Sequence, residues 1–398
     1  MKNFPSIPDP MKRRIILWTV LSLLGLLGGA LGKHYFVQTE QEQTAEAPIQ
    51  EQQELSTDSF SVRFFQQALS EKPSGNILVA PHLVSDMLLV LQECSAGKTR
   101  EELQSLELRR TQTLRATEPT CAMLLGMDYN LPRQNSRRGV MPLPFSENLP
   151  MALSLFNGSL SQAIGNTNIQ LANSQMVTSR TKLLLGGTLN LRKEWEIPFS
   201  STHSRTAGFD NASGSMPHIH QLRNRGMYRV TEASDKSWKA VAIPFRNDTA
   251  RGSQLVYIAI LPDGNAREFA LQLTPERLTT IRRELAQASP QDTLVEIPRQ
   301  ELQILPYDMR DTLRRMGLKA LFDPETADFS PLTTEKIQLG AALFSASVYL
   351  TESGTSTQSD SSLDYAERVF SLARPYIWMI TDLETDLPLE FIALIEEL

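Results

Sequence analysis

Residues 338–350 carry no charged side chain. A run this long and this apolar does not sit half in water, so it reads as a strand near the middle of a sheet, covered on both faces. From Glu352 onward it gives way to a polar stretch rich in Ser and Thr. Other strands follow from similar patterns. Leu183, Leu184 and Leu185 and then Leu189 and Leu191 flank Gly186 and Gly187, a buried strand with a close backbone approach at the glycines. Residues 255–261 are apolar and closed by Pro262, Asp263 and Gly264, a strand followed by a turn. Residues 294–297 are stopped by Pro298, and residues 376–380 and 389–395 flank a polar turn as a final hairpin.

Helices are expected mainly in the first part of the chain. Phe60, Phe64, Ala68 and Leu69 repeat at helical spacing, as do Val84, Met87, Leu88 and Leu91. Asp308 is placed to cap a helix carrying Met309, Leu313 and Met316 and ended by Gly317. Residues 110–150 hold five prolines and no clear periodicity. Helices early and strands late argue for an α+β fold rather than a doubly wound one.

Ahead of the folded part stand two different materials. Lys12, Arg13 and Arg14 close a basic N-terminus, residues 1–14, expected in the cytoplasm. Residues 15–32 are uncharged, and as a helix they would span roughly 27 Å, near the thickness of a bilayer core. The length favours a transmembrane anchor over a cleaved signal segment, although Gly28, Gly29, Ala30 and Gly32 supply the small residues that cleavage needs. Residues 33–56 are acidic and Gln-rich and read as a flexible linker, since they bury too little apolar surface to offset chain entropy. The folded part, residues 57–398, is thus expected outside the cytoplasm, membrane-anchored, or secreted or periplasmic if the segment is cleaved.

Charge and motif searches remove most function classes. With 39 Lys and Arg against 45 Asp and Glu, the chain has no excess of positive charge for nucleic acid. Two cysteines, Cys94 and Cys121, allow one bridge at most and no four-Cys zinc site. Gly97-Lys98-Thr99 looks like the end of a phosphate loop, but the first glycine of that motif is replaced by Gln92. His218 and His220 lack a third ligand nearby and read as surface residues rather than a metal pair. No Ser nucleophile elbow or catalytic triad context is present. Asn157, Asn211 and Asn247 begin glycosylation sequons. Neither an enzyme nor a cofactor or metal is implied.

A set of motifs, in order through residues 57–398, resembles the serpin family. It comprises Asn76-Ile77-Leu78-Val79-Ala80-Pro81, Ala96-Gly97-Lys98-Thr99, Trp195-Glu196-Ile197-Pro198-Phe199 and Ile260-Leu261-Pro262-Asp263. Then come Tyr307-Asp308, Leu313, Met316-Gly317, Phe322-Asp323, Ala327-Asp328-Phe329-Ser330, Glu352-Ser353-Gly354-Thr355 and Arg374-Pro375-Tyr376. The resemblance implies N-terminal helices packed on large, mostly antiparallel sheets, with an exposed reactive loop near the C-terminus. It also implies a monomeric inhibitor whose loop is cut by a serine protease and then enters the central sheet with the protease still attached. The alternative is a non-inhibitory serpin-fold binding protein.

On that resemblance, Glu352, Gly354, Thr355, Thr357, Ser359 and Ser361 form the hinge. An inserted strand alternates its side chains, so Thr355, Thr357, Ser359 and Ser361 would face inward, all small. Ser356, Gln358, Asp360 and Ser362 would face outward, with the only charge of the segment on the hydrated side. Leu363 and Tyr365 continue the inward parity; Glu367 does not. Counting from Glu352, the count preferred because translocation depends on reach, puts the reactive bond at Arg368-Val369, which implies a trypsin-like protease. Counting back from Pro375 puts it at Asp364-Tyr365. The difference, four residues, is roughly 13 Å of strand. In the sheet-opening region, where the family usually places polar residues, this chain has Ala80, Leu83, Gly187 and Phe344, and Trp195 is assigned to the same region.

Overall fold

The computed structural model of the chain describes residues 59–108, 121–132, 140–165, 169–247, 254–352, 363, 365–383 and 389–398. The basic N-terminus, the apolar run, the acidic linker, the hinge positions Gly354, Thr355, Thr357, Ser359 and Ser361, and Asp364 lie outside the described residues. Among those described, no helix is long and apolar enough to cross a membrane.

In α1 (Ser59–Glu71) the expected spacing buries Phe60, Phe64 and Leu69, and the rings of Phe60 and Phe64 stack at 5.7 Å. Strand β1 (Ile77–Val79) leads into α2 (Pro81–Glu93). Pro81 sits in its first turn, where an N–H has no helical partner to lose. Helix α3 (Gly97–Gln104) starts at Gly97, whose φ of +48° suits a residue without Cβ. Here Thr99 accepts a hydrogen bond from the Asp328 N–H at 2.9 Å, and Ala96 N–H donates to the Asp328 carbonyl at 3.0 Å. The Gly97-Lys98-Thr99 motif is therefore a docking joint between two distant segments.

The stretch without sequence pattern contains β2 (Cys121–Asp128), β3 (Val140–Leu143) and the start of α4 (Leu149–Ala163). Asn148 caps α4 by accepting from the Met151 N–H at 3.1 Å. Strands β4 (Leu183–Arg192), β5 (Arg205–Gly208), β6 (His218–Glu232), β7 (Trp238–Pro244) and β8 (Leu255–Pro262) follow. Next come α5 (Ala266–Leu271), α6 (Pro275–Gln287), β9 (Gln291–Pro298), β10 (Gln300–Asp308) and α7 (Arg310–Arg315). The chain ends with β11 (Ala341–Leu350), β12 (Arg368–Ser371), β13 (Tyr376–Asp382) and β14 (Phe391–Ile395).

Three details differ from the sequence reading. The uncharged run becomes a strand only from Ala341, although the Gly340 N–H already donates to the Leu183 carbonyl of β4 at 2.8 Å. Met309, not Asp308, occupies the cap position of α7, although the Asp308 carboxylate does accept from the Arg310 N–H at 3.1 Å. Helices α5 to α7 also lie among the later strands, so the division into early helices and late strands is incomplete. The α+β class stands.

The described strands form two sheets. One has nine strands, in the order β1-β14-β13-β8-β7-β6-β9-β12 with β5 beside β6. The other has five, in the order β10-β11-β4-β2-β3. Pairing is mostly antiparallel, with parallel exceptions at β4–β11, β2–β3 and β9–β12. β11 is central in the five-stranded sheet, as the uncharged run demanded, but it is covered on both faces only over its first four residues; Ser345, Ser347 and Tyr349 are part-exposed. Ala342, Phe344, Ala346, Val348 and Leu350 point into the main core, which includes α1 and α2. Ala341 and Leu343 point the other way, into a second apolar cluster with Ala152, Phe156 and Leu160 of α4.

Candidate functional site

The site is the seam between β4 and β11. These strands run parallel and in register from Ala341↔Leu184 to Tyr349↔Arg192. Both outer neighbours, β2 and β10, are antiparallel to them. Parallel pairing is slightly the weaker kind, and β4 and β11 are far apart in sequence, so no turn holds this seam shut. Side chains hold it on both faces.

On the inner face the residues predicted for sheet opening come together. Phe344 of β11 lies opposite Gly187 of β4. A Cβ on Gly187 would stand 2.6 Å from Met87 Sδ and 2.9 Å from Leu83 Cδ1, so two α2 side chains fill the space a larger residue would take. The Phe344 ring meets Phe64 edge-on at 6.4 Å and Tyr307 at 5.8 Å. Ala80, fully buried, precedes α2 and sets it against the sheet. Leu83, Gly187 and Phe344 bring no polar side-chain atom to this contact, so parting the strands here orphans no buried side-chain donor. It costs apolar packing instead.

The outer face is apolar below and polar above. Below, α4 lies across the seam. Phe156 fills the space beside Gly186, where a Cβ would be 2.5 Å from its Cζ. Above, three pairs bridge the strands. Ser345 Oγ donates to Thr188 Oγ1 at 3.1 Å, and Ser347 Oγ donates to Asn190 Oδ1 at 3.1 Å. The Arg192 guanidinium stands 4.6 Å over the Tyr349 ring. At the head, the Trp195 indole Nε1–H donates to the Thr351 carbonyl at 2.8 Å. Trp195 is itself stacked on Phe245 at 4.5 Å and packed edge-on against Phe199 and Tyr257.

Just above, Glu352 is clamped. It accepts from His220 Nε2 at 2.7 Å and from Arg299 Nε at 3.2 Å. Burial opposes its charge, yet its backbone N–H and these two side chains hold the carboxyl below the usual Glu value. His220 thus serves Glu352, and among the described residues no group of three or more His, Cys, Asp or Glu is placed to hold a metal ion. Cys94 is buried and Cys121 is the first residue of β2.

Beyond Glu352 the chain is described again at Leu363, which is buried, and at Tyr365, which is 78% exposed. Arg368 and Val369 are solvent-exposed but belong to β12, where they pair with Thr293 and Leu294 of β9. The outer-face row and the Glu352 clamp are absent from the sequence reading. The alternation of small polar Ser345 and Ser347 with apolar Phe344, Ala346 and Val348 was a readable signal for that row. Its partners on β4 were not readable, because they depend on which strands are neighbours.

A family model described as Serpin (serine protease inhibitor) matches residues 132–394. Plasminogen activator inhibitor 1 of Mus musculus is 23% identical over 342 residues, which cover 78% of this chain and 83% of the relative. Among solved structures, Manduca sexta serine protease inhibitor (serpin)-12 superposes with a TM-score of 0.73 at 18% identity, covering 86% of this chain and 98% of its own. Uncleaved ovalbumin gives a TM-score of 0.74 at 17% identity, covering 86% of this chain and all of its own (100%). At these identities the solved structures speak for the fold alone.

Proposed function

The chain belongs to the serpin family, and on that footing we propose that it inhibits serine proteases by loop cleavage, insertion of the cleaved strand between β4 and β11, and retention of the acylated protease. The observation that carries this reading is the parallel seam itself. The chain leaves β11 upward at Glu352, so a strand folding back along β11 runs antiparallel to it, and therefore antiparallel to β4 as well. Insertion exchanges one parallel pairing for two antiparallel ones, a change in the favourable direction. The incoming strand's hydrogen bonds replace those broken in the seam.

The bond cut lies between Asp364 and Val369. Arg368-Val369 offers a basic residue to a trypsin-like pocket, but β12 must first leave β9. Asp364-Tyr365 lies upstream of β12, beside the exposed Tyr365, and calls for a protease with a basic pocket. The strand position of Arg368 favours the upstream bond. The apolar run at residues 15–32 would hold the inhibitor at a membrane facing outward, or release it if cut.

One observation favours a second reading, a serpin-fold binding protein that traps nothing. The inner gate is tightly filled, with Leu83 and Met87 pressed on Gly187 opposite Phe344. A gate that never opens suits a protein that only displays its surface.

The test is incubation of the full chain with trypsin and, separately, with a serine protease specific for acidic residues. A denaturant-resistant band at the summed mass is expected with one of them, with a released peptide beginning at Val369 or at Tyr365. Complete cleavage by both, with no such band and no gain in stability, would overturn the inhibitory reading.

A further inference from the structure

Where β10 of the five-stranded sheet approaches β8 and β13 of the nine-stranded one, the apolar core contains a small polar group. Gln300, the first residue of β10, is 4% exposed and lies on the same side of the strand as Leu302 and Ile304, which pack on the main core. Tyr376 of β13 and Tyr257 of β8 are buried with it. The Tyr376 hydroxyl stands close to the Tyr257 hydroxyl and to the Gln300 amide. Yet among the described residues neither amide atom of Gln300, nor the Tyr376 hydroxyl, closes a hydrogen bond. The Trp378 indole N–H lacks a partner too, on the same face of β13, with its ring 5.5 Å from that of Tyr257. Aromatic rings wall the group in: Trp195 meets Tyr257 edge-on at 5.9 Å, and Phe209 meets Tyr376 at 6.3 Å. Burial pushes both phenols up, so Tyr257 and Tyr376 keep their protons and all the members are neutral.

A buried amide with both ends unpaired is costly, and folded chains commonly meet that cost with an interior water. These side chains are ill suited to satisfy one another, because their N–H and O–H donors outnumber their acceptor atoms. What the group needs is a guest that accepts as well as donates and is small enough for a walled core. From this geometry we infer that Gln300, Tyr376 and Tyr257 form an interior binding site for a small neutral hydrogen-bonding molecule, namely water. The guest bridges the Gln300 amide to the Tyr376 hydroxyl and so joins the two sheets by a polar contact. No charged side chain belongs to the site, so an ion has no counter-charge there. The inference does not depend on the inhibitory reading. A dry site and a hydrated one make opposite predictions. Taking orphaned polar atoms out of a dry core stabilises it. Taking away one anchor of a bound water leaves the other anchor unpaired and destabilises.

The probe is water itself, observed by NMR on the full chain labelled with 15N. The Gln300 side-chain amide protons, assigned by their loss in Gln300→Met, should show nuclear Overhauser cross-peaks to a bound water. In the Tyr376→Phe variant, which keeps the ring, those cross-peaks should weaken. The second readout is the melting temperature. Gln300→Met, similar in length and apolar, should lower it by about 2 °C or more. Tyr376→Phe should lower it as well. The double variant should lose less than the sum of the two, because both side chains hold one guest. Absence of the cross-peaks in the unmodified chain would overturn the site, and that measurement stands even if a variant fails to fold. An unchanged or raised melting temperature in Gln300→Met would overturn it too, since it would show that the amide holds nothing.

Discussion

The indole of Trp195 and the carbonyl of Thr351 are joined by a 2.8 Å hydrogen bond at the head of the β4–β11 seam, one residue before the clamped Glu352. Trp195 is 1% exposed, and its ring is fixed by Phe245, Phe199 and Tyr257. The bond therefore ties the end of β11 to a packed aromatic nest. Trp195→Phe keeps most of the packing and leaves the Thr351 carbonyl without its donor. A loss of about 1–2 kcal/mol is expected in urea unfolding, with faster peptide uptake at the seam.

The inner gate makes an opposite prediction for a polar residue. Gly187→Asn puts an amide among Leu83, Met87 and Phe344, where the nearest side-chain atoms are apolar and already 2.6 Å and 2.9 Å from an added Cβ. Overpacking and an unpaired buried amide should together cost about 3 kcal/mol or more. Equilibrium unfolding of the variant checks this. A cost within about 0.5 kcal/mol, the usual size of a surface effect, would mean that the gate has room and polar partners that its lining does not offer.

A buried charge couples α2 to the last hairpin. His82 Nδ1 lies 2.9 Å from Glu390 Oε1, and Nε2 lies 3.4 Å from Asp86 Oδ2. Burial works against the imidazolium, but the two carboxylates prevail and raise the His82 pKa well above its ordinary value. The native state then keeps a proton that the unfolded state releases above about pH 6.5. This stabilisation is complete below that pH and is lost as pH rises through the raised native value. Stability should decline with pH across that window, by at most about 1.4 kcal/mol per unit from this group. Glu390→Gln should flatten the decline, as denaturant titrations at several pH values would register.

The parts of the fold that were legible in sequence are those whose covering is local or one-dimensional. Residues 338–350 and 183–191 announced buried strands because absence of charge needs no knowledge of the partner. The spacing of Phe60, Phe64 and Leu69 announced a helix for the same reason. Strands β2 and β3 were illegible because their short runs lie among prolines, and β12 because four residues, Arg368 to Ser371, become a strand only where β9 waits for them. Helix α4 did carry a readable start, Asn148 followed by Pro150. Asn157 shows the same limit from the other side. Its sequon is valid, yet the side chain is buried and both ends of its amide are bonded to Ala172, at 2.8 Å and 2.9 Å, so a glycan there is incompatible with the fold.

The Glu352 clamp has an acid limb. Its carboxyl is held below the usual value, so its contribution is present above about pH 4.3, the unfolded value, and is lost as pH falls through the native one. His220 and Arg299 are 48% and 40% exposed, so screening keeps the contribution at about 1 kcal/mol or less. Glu352→Gln should be less stable than the unmodified chain at pH 7, and the gap should close toward pH 3. A gap that persists unchanged at pH 3 would mean that the carboxylate's charge is not what the clamp uses.

The central claim is that the β4–β11 seam accepts the chain that follows β11. The most direct measurement is the melting temperature of the full chain before and after a single cut between Asp364 and Val369. The account predicts a rise of about 10 °C or more, the shift expected of several kcal/mol in a protein of this size. An unchanged or lower melting temperature after complete cleavage would contradict it.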